Sequence, residues 1–135
     1  MANAFYPPTK TRLLQAVDDY STGNFKVALL SSAYTYNVAH DFANDLTGIV
    51  ATSGNLAGVS VTGAVFDAND ITLTAVTGST IVAYAIYRDT GSSATSPLVV
   101  YVDTTPSATA ISLVPNGGDI TVTFDNGTNR IFKVT

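Results

Sequence analysis

The sequence has no cysteine, no tryptophan and no glutamate, and only 12% of its 135 residues are charged. Without cysteine there is no disulfide framework and no thiolate metal site, and nothing demands an oxidising compartment. No apolar run approaches the roughly 20 residues that span a bilayer, so no membrane anchor is expected. The opening "MANAFYPPTKTRLL" lacks the long apolar core of a secretion signal, so Sec export is not expected either. The charged share is about half the usual one, and the balance is acidic, with net charge −4 and pI near 4.4. Binding to nucleic acid phosphates is mostly cationic, so no nucleic acid partner is expected.

What the chain does contain is β-forming. Threonine occurs 20 times and valine 15 times, and all 10 acidic residues are aspartate. Thr and Val are stiff at χ1 and suit a pleated strand, whereas Asp and Asn bond nearby backbone and favour turns. The length fits one domain with a core of its own.

Residues 1–9 read as an extended arm, because Pro7-Pro8 fixes φ twice and removes two donors. A short helix is predicted from Thr9 or Lys10 to Asp19, with Leu13, Leu14 and Val17 on one face. Strands are predicted at 25–30, 59–66, 70–76, 79–89, 97–103, 118–124 and 129–134. Gly63 suggests a bend or bulge within 59–66. The loop "TGSSATS" makes 79–89 and 97–103 a hairpin, "PNGG" supplies the turn before 118–124, and "DNG" is a second hairpin turn leading to 129–134. Strands at this spacing predict an all-β fold, an antiparallel β-sandwich or jelly roll. The expected organisation is an arm at 1–9 and a single β-sandwich domain at 10–135, with one or two short helices.

Residues 70–76 and 118–124 carry threonine along one face, as in a sheet with one side in water. In contrast, 81–87 and 98–102 are apolar on both faces and require two covers. One is a partner sheet. The second is either the chain's own helix and long loop or another subunit. The apolar pair Phe5-Tyr6 on the arm favours a protein working in an assembly.

"AYTYNVAHDFANDL" (33–46) holds the one histidine, His40, beside Asp41 and one turn from Asp45. With Asn37 as N-cap, Val38, Phe42 and Leu46 would recur on the buried face of a short helix. Aspartates one turn apart repel, and one histidine without cysteine builds no usual zinc site. No G-x-S-x-G nucleophile elbow occurs. "DANDIT" (67–72) lacks the glycine and the closing glutamate of a calcium loop, and reads as a turn entering a strand. Asn126 opens a formal glycosylation sequon inside a tight turn, which is set aside. Neither catalysis, a cofactor nor a metal is expected.

Four stretches together, "NAFYPPTKTRLLQ", "FKVALLSSAYTYNVAHDF", "AIYRDTGSSATSPLVVYVD" and "PNGGDITVTF", resemble small structural proteins of tailed double-stranded DNA bacteriophages. Within that group the chain is most similar to capsid decoration, or cement, proteins. The resemblance implies a compact β-sandwich or jelly roll that binds the major capsid protein as a homo-dimer or homo-trimer. It would sit on the outer surface of the virion capsid after synthesis in the host cytoplasm. It implies no catalytic residue. On this expectation Phe5, Tyr6, Pro7 and Pro8 contact the capsid, and Ile81, Tyr84, Ile86, Val99 and Tyr101 mediate self-association. The alternatives are a phage neck, tail or fibre-associated, adhesin-like binding module, and a small hydrolase using Asp41 or Asp45.

Overall fold

A computed structural model describes residues 3–15, 20–105, 107–127 and 131–133. Its elements are β1 (Ala4–Phe5), α1 (Pro7–Leu14), β2 (Asn24–Leu30), a 3-10 turn (Ala43–Asp45), β3 (Ile49–Thr52), β4 (Ser60–Thr62), β5 (Val65–Asp67), β6 (Ile71–Leu73), β7 (Ala83–Asp89), β8 (Leu98–Val102), β9 (Ile120–Val122) and β10 (Phe132–Lys133). The protein is mostly β with one α-helix, and its strand pairings are antiparallel. The main sheet has five strands in the order β1-β8-β7-β2-β3, beside a three-stranded sheet β10-β5-β4 and a two-stranded sheet β6-β9.

Register explains why β2, β7 and β8 are apolar on both sides. Val27 pairs with Ile86, and Ile86 with Val100, so these side chains share one face. They form a core with Phe25, Leu29, Phe66, Leu73, Val122 and Phe124, which the two smaller sheets and their flanks contribute in part. Ala28 pairs with Ala85, and Ala85 with Tyr101, on the opposite face. There a second core joins Tyr6, Leu30, Tyr34, Leu46, Ala83 and Leu98. Its cover comes from the N-terminal turn into α1 and the irregular segment 31–47. The second cover is therefore the chain's own. Ile81, Ile86, Val99 and Tyr101 are buried and Tyr84 is half-buried, so the surface expected to await a second copy is filled from within.

The arm differs from expectation in the same way. Ala4 and Phe5 pair with Tyr101 and Val100, and Tyr6 donates its N–H to the carbonyl of Val99 at 3.1 Å. Pro7 and Pro8 then open α1 instead of extending the chain. A proline at the first helical position gives up an N–H that has no intrahelical partner anyway, and its fixed φ suits the helix. Tyr6 is fully buried, Phe5 is half-buried against Phe132, and only Pro7 remains well exposed. Phe5 and Tyr6 are thus wall and core, not a free clamp. The predicted helix starts earlier and stops at Leu14; Val17 and Asp19 lie outside the described residues.

Three further expectations are corrected. Residues 59–66 are a hairpin, not one bent strand: Gly63 and Ala64 both have positive φ (59° and 64°) between β4 and β5. That pair of dihedrals is the type I′ geometry whose twist matches antiparallel strands. Among the described residues the "DNG" turn does not pair its flanks: β9 bonds β6 and β10 bonds β5. The segment 37–46 is no continuous helix. Asn37 Oδ1 accepts the N–H of Ala39 at 2.8 Å, closing a local turn, and Val38 points outward at 62% exposure. The backbone instead ties to the 90s loop, with Phe42 bridged to Pro97 and Ala43 N–H bonded to Ser96 O at 2.8 Å.

Candidate binding surface

Chemistry-bearing side chains gather where α1 meets segment 31–47. Arg12, on α1, forms an ion pair with Asp41. It also donates through Nη2 to the hydroxyl of Thr9 at 3.1 Å, and its guanidinium lies 5.2 Å from the Phe42 ring centroid. Thr9, fully buried, donates its hydroxyl to the carbonyl of Leu98, and Leu98 returns its N–H to the carbonyl of Asp41 at 2.9 Å. Helix, segment and sheet are thereby joined at one point. A fixed charge pair of this kind positions elements, and its partners are occupied with one another.

Asp45 serves the backbone. Its carboxylate accepts the N–H groups of Asp41 and Phe42 at 2.8 and 3.1 Å. These donors hold its pKa below the ordinary carboxylate value, the Asp41 amide contributing most. His40 uses Nδ1 against the hydroxyl of Tyr34 at 2.8 Å, and Tyr34 in turn bonds the hydroxyl of Tyr6 at 2.8 Å. The Tyr6 and Tyr34 pKa values are raised, chiefly by burial. Asp41, Asp45 and His40 therefore come close in space but each is committed to a structural partner.

Among the described residues no group of three or more His or Asp side chains is placed to hold a metal ion. Asp70, from the stretch compared with a calcium loop, accepts the N–H of Phe124 at 2.9 Å and so joins the β6 and β9 ends. No described helix is long and apolar enough to cross a membrane. A cleft of ≈ 200 Å³ opens beside Tyr84, walled by Leu29, Ile81, Ile111, Leu113 and Ile120, with threonines at its rim. Burial pushes the Tyr84 phenol up to about 12, and among the described residues no other ionisable group lines that cleft.

Pro7, Pro8, Thr11, Arg12, Val38 and Asp41 line a shallow trough between α1 and segment 31–47. Leu14, further along α1, is 88% exposed. Of the residues expected to contact a capsid, the structure keeps Pro7 and Pro8 on this rim and withdraws Phe5 and Tyr6 from it. Val38 was missed because helical spacing assigned it to a buried face, and Leu14 was read only as part of one face of the predicted helix with Leu13 and Val17. No family model matches the chain, and no curated protein matches it.

Proposed function

We propose that this chain is a virion structural protein of a tailed double-stranded DNA bacteriophage, a capsid decoration protein that binds the mature head lattice. The proposal rests on the sequence resemblance described above. The structural observation that carries it is the trough along α1, where Pro7, Pro8 and Val38 surround the Arg12–Asp41 pair with Leu14 nearby. Prolines and a docked helix have little conformational freedom left to lose, which lowers the entropic cost of association. The major capsid protein is the partner. In this reading the main sheet and the two smaller sheets form a β-sandwich whose acidic exterior faces away from packaged DNA.

Binding only the expanded lattice would stabilise it by linkage, in proportion to the differential affinity for the two lattice states. Several weak contacts per oligomer would add through avidity. The test is co-sedimentation of the purified chain with mature heads. Leu14→Asp combined with Val38→Asp should abolish head occupancy while leaving the melting temperature within about 2 °C, as expected of exposed positions. Undiminished occupancy by that variant would remove the trough from the proposal. Binding to tails or host cells, with none to heads, would transfer the chain to the adhesin-like class.

A further inference from the structure

Both ends of the main sheet are strand edges, and they differ. β1 is two residues long and runs straight into α1. β3 closes the other end, and among the described residues no strand pairs with its outer side. Its pairing with β2 continues past Thr52: Ser53 N–H bonds Val27 O at 2.8 Å, and Leu56 N–H bonds Phe25 O at 2.8 Å. Since Ser53 bonds toward β2, the alternation of an antiparallel ladder turns the N–H and C=O of Thr52 outward. Thr52 is exposed, Ile49 is 46% exposed, and a Cβ added at Gly54 would meet nothing within 4 Å.

Soluble proteins blunt such an edge with short or bulged strands, lysine, proline, an inward charge or a covering loop; β3 is four residues long and its register with β2 shifts between Leu29 and Leu30. Residues 46–66 hold none of those side chains: this is the longest stretch of the sequence without a charged residue or histidine, and it has no proline. The same stretch supplies β4, the end strand of the three-stranded sheet, with Val61 46% exposed. Phe132 of β10 meets Phe5 of β1 at 4.7 Å, and Phe66 of β5 meets Phe25 of β2 at 4.9 Å. The two sheets therefore run in the same order, and β3 and β4 end on the same side.

We infer that this side is a self-association surface, in which β3 pairs antiparallel with β3 of a second copy about a twofold axis. Open main-chain donors and acceptors specify a strand as the occupant. Charge then favours a second copy: residues 46–66 carry no charged side chain, so two acidic chains, each at net charge −4, meet there without bringing like charges into contact. Antiparallel pairing of a strand with itself is self-complementary, so one open edge satisfies the other. The five-stranded sheets join into one continuous sheet, and Ile49 gains cover. This supplies the oligomer that a decoration protein uses, and it is tested on the isolated chain, so either reading fails independently of the other.

Sedimentation equilibrium of the full chain from micromolar to millimolar concentration should show a monomer–dimer equilibrium. Thr52→Lys places a cation on the edge without touching β2, and should raise the dimer dissociation constant about tenfold or more. Thr52→Pro removes the outward N–H and should act in the same direction; should it fail to fold, Thr52→Lys decides. Leu14→Asp, on α1, should leave the dimer unchanged. A strict monomer at millimolar concentration, or a dimer indifferent to Thr52→Lys, overturns the inference. Head binding lost with the dimer intact would instead count against the decoration role alone.

Discussion

The hydroxyls of Tyr6 and Tyr34 meet at 2.8 Å beneath the segment that closes the second face of the main sheet. Tyr6 enters from the N-terminus and Tyr34 from the far side of β2, so this contact joins two covers that share no strand. Their rings belong to a layer with Tyr36 and Tyr101, with centroids 5.2 to 5.9 Å apart. Tyr6→Phe leaves the Tyr34 hydroxyl with only His40 and should cost about 1–2 kcal/mol. Tyr6→Ala also opens a cavity and should cost about 3–5 kcal/mol. Urea unfolding midpoints at constant m-value provide the measurement. Equal, near-zero losses for both variants would place Tyr6 outside the core.

The tyrosines also set an alkaline limit. Tyr6, Tyr34 and Tyr84 are held above the ordinary phenol pKa by burial, Tyr84 at about 12. Below pH ~10 these phenols are neutral in both folded and unfolded chains, and stability is unaffected. As pH rises from there, the unfolded chain ionises first, so stability falls progressively toward the folded-state values. Absorbance near the phenolate band should therefore show the half-buried Tyr36 and Tyr87 titrating first. The buried ones should follow only with the loss of far-ultraviolet β signal. A single smooth titration of all seven without unfolding would contradict the assignment.

Asp45 contributes to the corresponding acid limit. Its pKa is lowered in the folded chain by the amides of Asp41 and Phe42. The stabilisation is complete above the ordinary aspartate pKa near ~4 and is lost as pH falls through the lower folded value. Asp45→Asn should lower the melting temperature at neutral pH and flatten its decline in acid. An unchanged acid slope would show that other carboxylates govern it.

Backbone conformation gives a prediction of each sign. Gly48 has φ +61° where segment 31–47 turns into β3, and a Cβ there would lie 2.7 Å from Ser31 Oγ and 2.8 Å from the Ala33 Cβ. Gly48→Ala should destabilise by about 1–2 kcal/mol or more, from left-handed strain plus the clash. Ala64 occupies the same region at φ 64°, in the hairpin between β4 and β5. Ala64→Gly should therefore stabilise by up to about 1 kcal/mol, because glycine carries no penalty there. Thermal melts of the two variants should move in opposite directions.

Much of the sheet was legible because its signal is periodic and local. Residues 83–89 and 98–102 alternate between two buried faces, and "TGSSATS" joins them as the hairpin it implies. The need for two covers was equally plain. The identity of the second cover was not, since Tyr6 lies against residues more than ninety positions away, such as Leu98 and Tyr101. No local pattern reports such a contact. The Pro7-Pro8 pair is compatible with both an extended arm and a helix start, and only the docking of Thr9 and Arg12 decides between them. Val38 misled for a related reason: its i, i+4 spacing to Phe42 is helical, but the strand-like bridge from Phe42 to Pro97 unwinds that turn. The trough was visible only in part, through its prolines.

The bond from Tyr6 to Val99 and the pairing of Phe5 with Val100 have a consequence for biogenesis. During translation residues 4–6 wait, unable to dock, until residues 99–101 have left the ribosome. Contacts this distant along the chain slow folding and lengthen the exposure of unpaired apolar surface. Until then the nascent protein carries bare tyrosine-rich and strand-edge surfaces, making the interval before β8 emerges its period of greatest vulnerability to aggregation.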